Sequence, residues 1–253
     1  LYIGIPKETI FQEHRVPLTP SAVAVLVGRD HEVVIERGAG LHAHFTDESY
    51  VGAEISDKRD EILSSADVLV CVQTPPNSDL AKLKSGAVVM GLLAPHADPA
   101  RVQSFIDKKI SAFPLEKLPR TTRAQAMDVV SSQAGMAGYK AVLIAAQLAP
   151  RFFPMLTTAA GTIRPSKVLI VGAGVAGLQA IATGRRLGAV VEVFDTRPAV
   201  KEEVMSLGAK FVEVEGAADA SKAGGYAVEQ TEDFMKRQKA KIAESVAKAD
   251  III

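Results

Sequence analysis

The stretch that decides the fold is KVLIVGAGVAGLQ, residues 167–179. Its apolar beginning predicts a buried strand, its end predicts the first turns of a helix, and GAGVAG between them matches GxGxxG. In that context the first glycine permits a tight turn, the second lets backbone approach a pyrophosphate, and the third lets the helix pack closely on the strand. We therefore predict a pyrophosphate site built from Gly172, Gly174, Val175 and Gly177.

An acidic residue closes the next predicted strand, Val190–Asp195. A carboxylate at this place accepts hydrogen bonds from both ribose hydroxyls of NAD and repels the 2′-phosphate of NADP. Arg197 follows after Thr196, and an arginine at such a place can instead receive that phosphate. Because Asp195 is at the strand end itself, we predict NAD(H). SAM and FAD stay open as alternatives, since both use a related turn.

Strand and helix patterns alternate along the whole chain, which predicts parallel sheets covered by helices. We predict an α/β fold of two Rossmann-like domains, residues 1–128 and 129–253, with parallel sheets and an inter-domain cleft. The C-terminal part of the first domain is expected to be missing. The chain lacks an initiator Met and stops in an apolar run at Ile253, so the second domain is also expected to continue.

A long helix, Ser131–Ala149, is predicted to lead into the second domain. Gly135 and Gly138 on this helix predict close packing against another helix. Residues 151–166 contain two prolines and predict an irregular linker. A shorter helix is predicted to begin at Thr19, as N-cap, with Pro20 at its first position.

Composition narrows the function classes. The 29 basic and 29 acidic residues cancel, so no basic surface for nucleic acid is indicated. One cysteine excludes an internal disulfide, and the five histidines show no metal-ligand spacing, so we predict no metal site. No signal peptide and no apolar stretch of about 20 residues is present, so no transmembrane segment is predicted in this chain.

A polar cluster, residues 119–133, lies between the two predicted domains. Alone it is typical of a solvated loop that caps a helix. Together with the glycine turn, however, the sequence resembles domain I, the NAD(H)-binding component of the alpha subunit of proton-translocating nicotinamide nucleotide transhydrogenase. The resemblance covers essentially the whole chain. Its matching pieces are Gly4–Glu8, Arg15–Val16, Glu36–Gly40, Pro119–Arg120, Arg123–Gln125, Asp128, Ser131–Ser132, Ala137–Tyr139, Arg151–Phe153, Gly172–Leu178, Phe194–Arg197 and Gly224–Ala227.

The resemblance implies further nucleotide-binding residues. Those implied to lie beside the nicotinamide are Arg120, Gln125, Met127, Asp128 and Ser131. Gln125 and Asp128 are implied to orient the dihydronicotinamide and its ribose. Those implied to bind from a closing loop and the helix after it are Gly225, Tyr226 and Gln238, while the loop's own composition, residues 215–230, independently predicts a flexible lid.

The resemblance also implies an activity and partners. The activity is direct hydride transfer from NADH to NADP⁺ held on a partner domain, for which no side-chain acid or base is required. The implied partners are an NADP(H)-binding component and a transmembrane proton-channel component, and the chain itself is implied to be a homodimer. It is implied to work peripherally at the cytoplasmic or matrix face of a membrane.

Two other interpretations stay open. Alanine dehydrogenase shares the implied fold, but it needs a substrate arginine, a lysine and a histidine. Arg15 matches the arginine, whereas the lysine position is Gln73 and the histidine position is about Leu93, with His96 three residues on. The loss of a protonatable pair favours transhydrogenase over an amino-acid dehydrogenase. An NAD-binding regulatory module without chemistry is the third interpretation.

Overall fold

The structure, a computed structural model, describes residues 1–119, 121–214 and 231–253. The chain divides into two compact units, Leu1–Asp128 and Val129–Ile253. The strands of the first unit are β1 (Tyr2–Ile5), β2 (Glu32–Glu36), β3 (Glu54–Ser56), β4 (Val68–Gln73), β5 (Val88–Leu92) and β6 (Ser111–Pro114). Its helices are α1 (Pro20–Val27), α2 (Arg59–Ser65), α3 (Asn77–Leu80) and α4 (Pro99–Asp107).

The first unit is a parallel sheet with strand order β3-β2-β1-β4-β5-β6. Because neighbouring strands point the same way, each connection crosses over the sheet, and helices cover the faces. Aliphatic side chains such as Ile5, Ile35 and Leu69 are fully buried on these strands. The predicted start of α1 is confirmed, since the Thr19 side chain accepts a hydrogen bond from the backbone N–H of Ala22.

The second unit begins with the long helix α5 (Val129–Leu148), two residues earlier than predicted. Its strands are β7 (Leu156–Thr158), β8 (Gly161–Ile163), β9 (Lys167–Val171), β10 (Val190–Phe194), β11 (Lys210–Phe211) and β12 (Ile251–Ile252). Its other helices are α6 (Val175–Arg186), α7 (Lys201–Ser206) and α8 (Glu232–Val246).

The described strands of the second unit repeat the topology of the first. They form a parallel sheet with order β11-β10-β9-β12, so that β9 lies between the strand that follows it and a strand much later in the chain. The order of strands reverses beside β9. In open parallel sheets, ligands bind outside the carboxyl ends of the strands at such a switch point. The predicted α/β class with parallel sheets is confirmed.

Helix α5 packs closely on α6, and Gly138 makes this possible. A Cβ added at Gly138 would lie 2.0 Å from the carbonyl oxygen of Ala176. The predicted close packing is therefore confirmed at Gly138. It is wrong at Gly135, where the nearest neighbour of an added Cβ is Val175 Cγ1 at 4.0 Å.

The predicted irregular linker at 151–166 is wrong. This segment belongs to the second unit and contains an antiparallel hairpin, β7 paired with β8. The residues of both strands are exposed, so no alternation of polar and apolar side chains marks them. The segment is tied to the unit by Phe153, which is buried, and by the Ser166 hydroxyl, which donates to the Phe152 carbonyl at 2.8 Å.

Candidate functional site

The glycine turn after β9 has a backbone that demands glycine at two places. Gly172 has a φ of +106°, and its N–H donates to the Phe194 carbonyl oxygen at 2.7 Å. Such a φ favours glycine because a Cβ is strained there. A Cβ on Gly177 would lie 1.8 Å from the carbonyl oxygen of Gly172, so the start of α6 packs directly on the turn.

The N-terminus of α6 is open at Gly174. This residue is the N-cap of α6 and carries no side chain that could satisfy the first N–H groups of the helix. Among the described residues, no heavy atom lies within 4 Å of a Cβ placed there. Val175, the next residue, is half exposed. Open N–H groups and the positive end of the helix dipole form a site for an anion such as a phosphate.

Asp195 lies directly after β10 and is bonded to the glycine turn. Its Oδ2 accepts a hydrogen bond from the backbone N–H of Ala173 at 2.7 Å, and its side chain is only 5% exposed. The carboxylate therefore stands at the carboxyl end of the sheet, beside the open end of α6. Sequence position alone predicted this neighbourhood, and the hydrogen bond shows how it is fixed.

Arg197 pairs with Asp195 through its side chain. Its Nε donates to Oδ1 at 2.9 Å and its Nη2 donates to Oδ2 at 2.8 Å. Burial would raise the pKa of Asp195, but the hydrogen bonds from Arg197 and from the amide of Ala173 outweigh it and lower the pKa. Asp195 is therefore ionised at neutral pH. Thr196, between the two, is half-buried.

A pocket of about 380 Å³ opens next to Asp195 in the second unit. It lies at the carboxyl ends of β10 and β11, and helix α8 closes one side. Its lining residues are Phe194, Asp195, Thr196, Pro198, Lys201, Phe211, Glu213, Val214 and Phe234. Lys201 and Glu213 form an ion pair at its rim. The aromatic rings and the carboxylate give the pocket one apolar region and one acceptor, which suits a base joined to a ribose.

Sequence reasoning missed most of this lining. The residues that follow β11 could have been found, because the carboxyl ends of neighbouring parallel strands meet at one sheet edge. Phe234 carried no such signal, since it reaches the pocket from a helix that is distant in sequence. Gln238, predicted on that same helix, is half-buried and is not among the lining residues.

The remaining predicted residues are outside this pocket or outside the described chain. Gln125 and Met127 lie on a short 3₁₀ turn in the first unit, and both are exposed. Asp128 follows the turn and is half-buried, and Ser131 is half-buried in the first turn of α5. Three predicted residues lie outside the described residues: Arg120, Gly225 and Tyr226.

The first unit carries its own polar cluster after β1 and β4. Arg15 donates from Nε and Nη2 to the carboxylate of Glu13 at 2.8 and 2.6 Å, and Gln73 donates its side-chain N–H to the same carboxylate at 3.0 Å. The hydrogen bond from Arg15 holds the pKa of Glu13 at about 2. Leu93 is only 2% exposed and packs in the core, whereas His96 is exposed.

The described residues hold neither a metal cluster nor a membrane-spanning helix. Residues 1–119, 121–214 and 231–253 contain no group of three or more His, Cys, Asp or Glu side chains that could hold a metal ion. Within the same residues, no helix combines the length and the apolar character needed to cross a membrane.

Comparison with known proteins places both units. Residues 4–137 match the model of the alanine dehydrogenase/PNT N-terminal domain, and residues 141–253 match that of the C-terminal domain. In Rhodospirillum rubrum, the first of the separate chains that make up the alpha subunit of NAD(P) transhydrogenase is 45% identical over 260 residues, which cover 99% of this chain and 68% of that protein.

Solved structures give the same grouping. The transhydrogenase from Sinorhizobium meliloti is 40% identical and superimposes with a TM-score of 0.88, over 100% of this chain and 68% of that one. An L-alanine dehydrogenase is 26% identical, with a TM-score of 0.76, over 100% of this chain and 65% of that one. The chain is thus similar in sequence and fold to both kinds of protein, and more so to the first.

Proposed function

The chain belongs to the alanine dehydrogenase/PNT family and is a homologue of NAD(P) transhydrogenase alpha subunits, and from this premise we propose that it is the component that binds NAD(H). The observation that carries the proposal is the junction of Asp195 with the glycine turn, through the hydrogen bond to the N–H of Ala173. This junction sets a ribose acceptor beside a phosphate site.

The residues present fit NAD(H). The open N-terminus of α6 at Gly174 would receive the pyrophosphate. Asp195 would accept the hydroxyls of the adenosine ribose, and the pocket lined by Phe194, Phe211 and Phe234 would take the adenine. The ionised state of Asp195 favours a free diol over a 2′-phosphate, because two negative groups repel at this distance.

In the proposed reaction, bound NADH supplies a hydride that passes directly to NADP⁺ on a partner domain. The chain's own residues bind and orient. We propose that Gln125 and Asp128 hold the nicotinamide end in a geometry that suits transfer, with Arg120, Met127 and Ser131 beside them. Gly225 and Tyr226 would close over the nucleotide and exclude water, and Gln238 would contact it. No side-chain acid or base is needed, since a hydride moves between two like rings.

Alanine dehydrogenase is the second candidate, and the first unit argues against it. The position expected for its lysine holds Gln73, whose amide donates to Glu13. The position expected for its histidine holds Leu93, which is fully covered by the core. A neutral amide and a buried aliphatic side chain cannot exchange protons with an amino acid substrate. Arg15 is retained, but its guanidinium is paired with Glu13.

The test is transfer of tritium from reduced NAD labelled at C4 to NADP⁺ bound on a transhydrogenase partner domain. We expect label in NADPH only when the chain is present. In a parallel assay, alanine and NAD⁺ should give no NADH. Turnover of alanine without label transfer would establish the dehydrogenase instead. Failure of both assays, with NADH still bound, would leave a regulatory module.

The role of Gln125 is tested by Gln125→Asn, which shortens the side chain and keeps its amide. We expect slower label transfer with nearly unchanged affinity for NADH, because orientation rather than binding is disturbed. Gln103→Asn on α4 is the matched control, since Gln103 is exposed and bonds only locally, to Asp107. An equal loss of affinity and rate in Gln125→Asn would contradict this role.

We also propose an assembly, on the strength of the family alone. The chain would form a homodimer and stand at the cytoplasmic or matrix face of a membrane, beside an NADP(H)-binding component and a proton-conducting one. Light scattering of the purified chain measures its oligomeric state directly. A mass of one chain at micromolar concentration would contradict the homodimer.

A further inference from the structure

The hydrogen-bonding capacity of the Asp195 carboxylate is fully used. Oδ1 accepts from the backbone N–H of Arg197 at 2.8 Å and from its Nε at 2.9 Å. Oδ2 accepts from the backbone N–H of Ala173 at 2.7 Å and from Arg197 Nη2 at 2.8 Å. An ionised carboxylate has about four acceptor positions, so all of them are filled. A ribose hydroxyl can therefore not bond to Asp195 in this state.

The four donors differ in how easily they can leave. The two backbone donors belong to the glycine turn and to the chain just after β10, and both are fixed by the sheet. The other two belong to one side chain, the Arg197 guanidinium. That side chain is 21% exposed, whereas Asp195 is 5% exposed, so the guanidinium lies on the solvent side of the carboxylate. It is the donor that an incoming ligand meets first.

Departure of the guanidinium would free one acceptor position on each oxygen. Nε leaves Oδ1 and Nη2 leaves Oδ2. A vicinal diol offers two neighbouring O–H donors, which is the pattern that an arginine fork offers. The two hydroxyls of an unmodified ribose would therefore replace the fork one for one, whereas a ribose with a phosphate on one hydroxyl would fill only one position.

We propose that Arg197 is an internal, displaceable ligand of Asp195 that occupies the positions of the ribose hydroxyls until a nucleotide with a free vicinal diol replaces it. The inference rests on the proposed NAD(H) site and assigns Arg197 a positioning role there. Two consequences follow. The displacement lowers the affinity for NADH, because only the fraction of molecules with an open carboxylate can bind the diol. The pairing also keeps the guanidinium charge neutralised, so it does not attract a 2′-phosphate.

The first test is a crystal structure of the chain with NADH. We expect both side-chain bonds between Arg197 and Asp195 to be broken, with O2′ and O3′ of the adenosine ribose each bonded to a different carboxylate oxygen. The bonds from the two backbone N–H groups should persist. A complex in which the fork still pairs with Asp195 would overturn the proposal, even though NADH is bound.

The second test is affinity, measured by calorimetry at high ionic strength so that loss of a positive charge near the pyrophosphate has little weight. Arg197→Ala should bind NADH about tenfold more tightly than the unchanged chain, because the internal competitor is gone. Arg197→Lys, which keeps the charge and loses the fork, should fall between the two. Arg186→Ala is the matched control, because Arg186 is exposed in the last turn of α6.

The outcomes separate this inference from the proposed function. Unchanged or weaker binding by Arg197→Ala, with the variant folded by circular dichroism, would overturn the displacement alone. Failure of the unchanged chain to bind NADH would overturn both the proposed function and the inference. Tighter binding by Arg197→Ala but not by Arg186→Ala, together with an opened fork in the complex, is the result we expect.

Discussion

Two glycines on α5, one turn apart, should respond in opposite directions to the same substitution. In Gly138→Ala the new Cβ would lie 2.0 Å from the Ala176 carbonyl oxygen, whereas ordinary contact begins at 3.4 Å. The obstacle is backbone and cannot rotate away, so α5 and α6 must move apart. Overpacking of this kind costs about 1–3 kcal/mol, and the better helix propensity of alanine returns about 1 kcal/mol. Because the clash is with backbone, we expect the upper end of that cost and a net loss of at least about 1 kcal/mol.

Gly135→Ala is the matched control. The nearest neighbour of its Cβ is Val175 Cγ1 at 4.0 Å, so no clash arises and the helix gains about 0.5–1 kcal/mol. Thermal unfolding measured by circular dichroism resolves the difference, since 1 kcal/mol shifts Tm by about 2–4 °C in a domain of about 150–250 residues. Gly138→Ala should also weaken NADH binding, because Ala176 lies in the first turn of α6. Equal Tm values for the two variants would refute the reasoning.

Three further predictions concern single side chains. Asp195→Asn should weaken NADH binding roughly ten- to hundredfold and narrow the preference over NADPH, because charged hydrogen bonds are worth about 1.5–3 kcal/mol and Arg197 loses its partner; calorimetry with both nucleotides checks this. Glu13 has a pKa of about 2 in the folded chain, below its ordinary 4.5, so its pairing with Arg15 stabilises above pH 4.5 and is lost as the pH falls toward 2. Denaturant midpoints measured across this window should fall more steeply for the unchanged chain than for Glu13→Gln. Burial raises the pKa of the Cys71 thiol, so it should react with a thiol reagent at neutral pH only after unfolding; rapid labelling of the folded chain would contradict this.

The glycine turn was predictable from sequence because its constraints are local. Gly172 needs a positive φ and Gly177 needs a close backbone approach, and both needs appear as glycine at fixed spacing. Asp195 was predictable for a similar reason, since the end of an apolar strand marks the sheet edge. The α/β class followed from the alternation of apolar runs and helical periods.

Other features depended on contacts that no local pattern specifies. The fork between Arg197 and Asp195 was not foreseen, because two charged residues this close in sequence can either pair or point apart. Phe234 reaches the pocket from α8, and nothing in the sequence around it predicts that approach. The exposed hairpin at β7 and β8 was missed because strands without a buried face lack the period that reveals them. Gly135 and Gly138 look alike in sequence, and only the position of α6 distinguishes them.

The central claim is that the second unit holds NAD(H) through the glycine turn and Asp195. The most direct measurement is a pair of calorimetric titrations of the chain, one with NADH and one with NADPH, under the same salt and pH. The account predicts saturable binding of NADH and binding of NADPH that is weaker by at least about tenfold, the factor that roughly 1.4 kcal/mol produces. Equal affinity for the two nucleotides, tighter binding of NADPH, or no binding of either would contradict it.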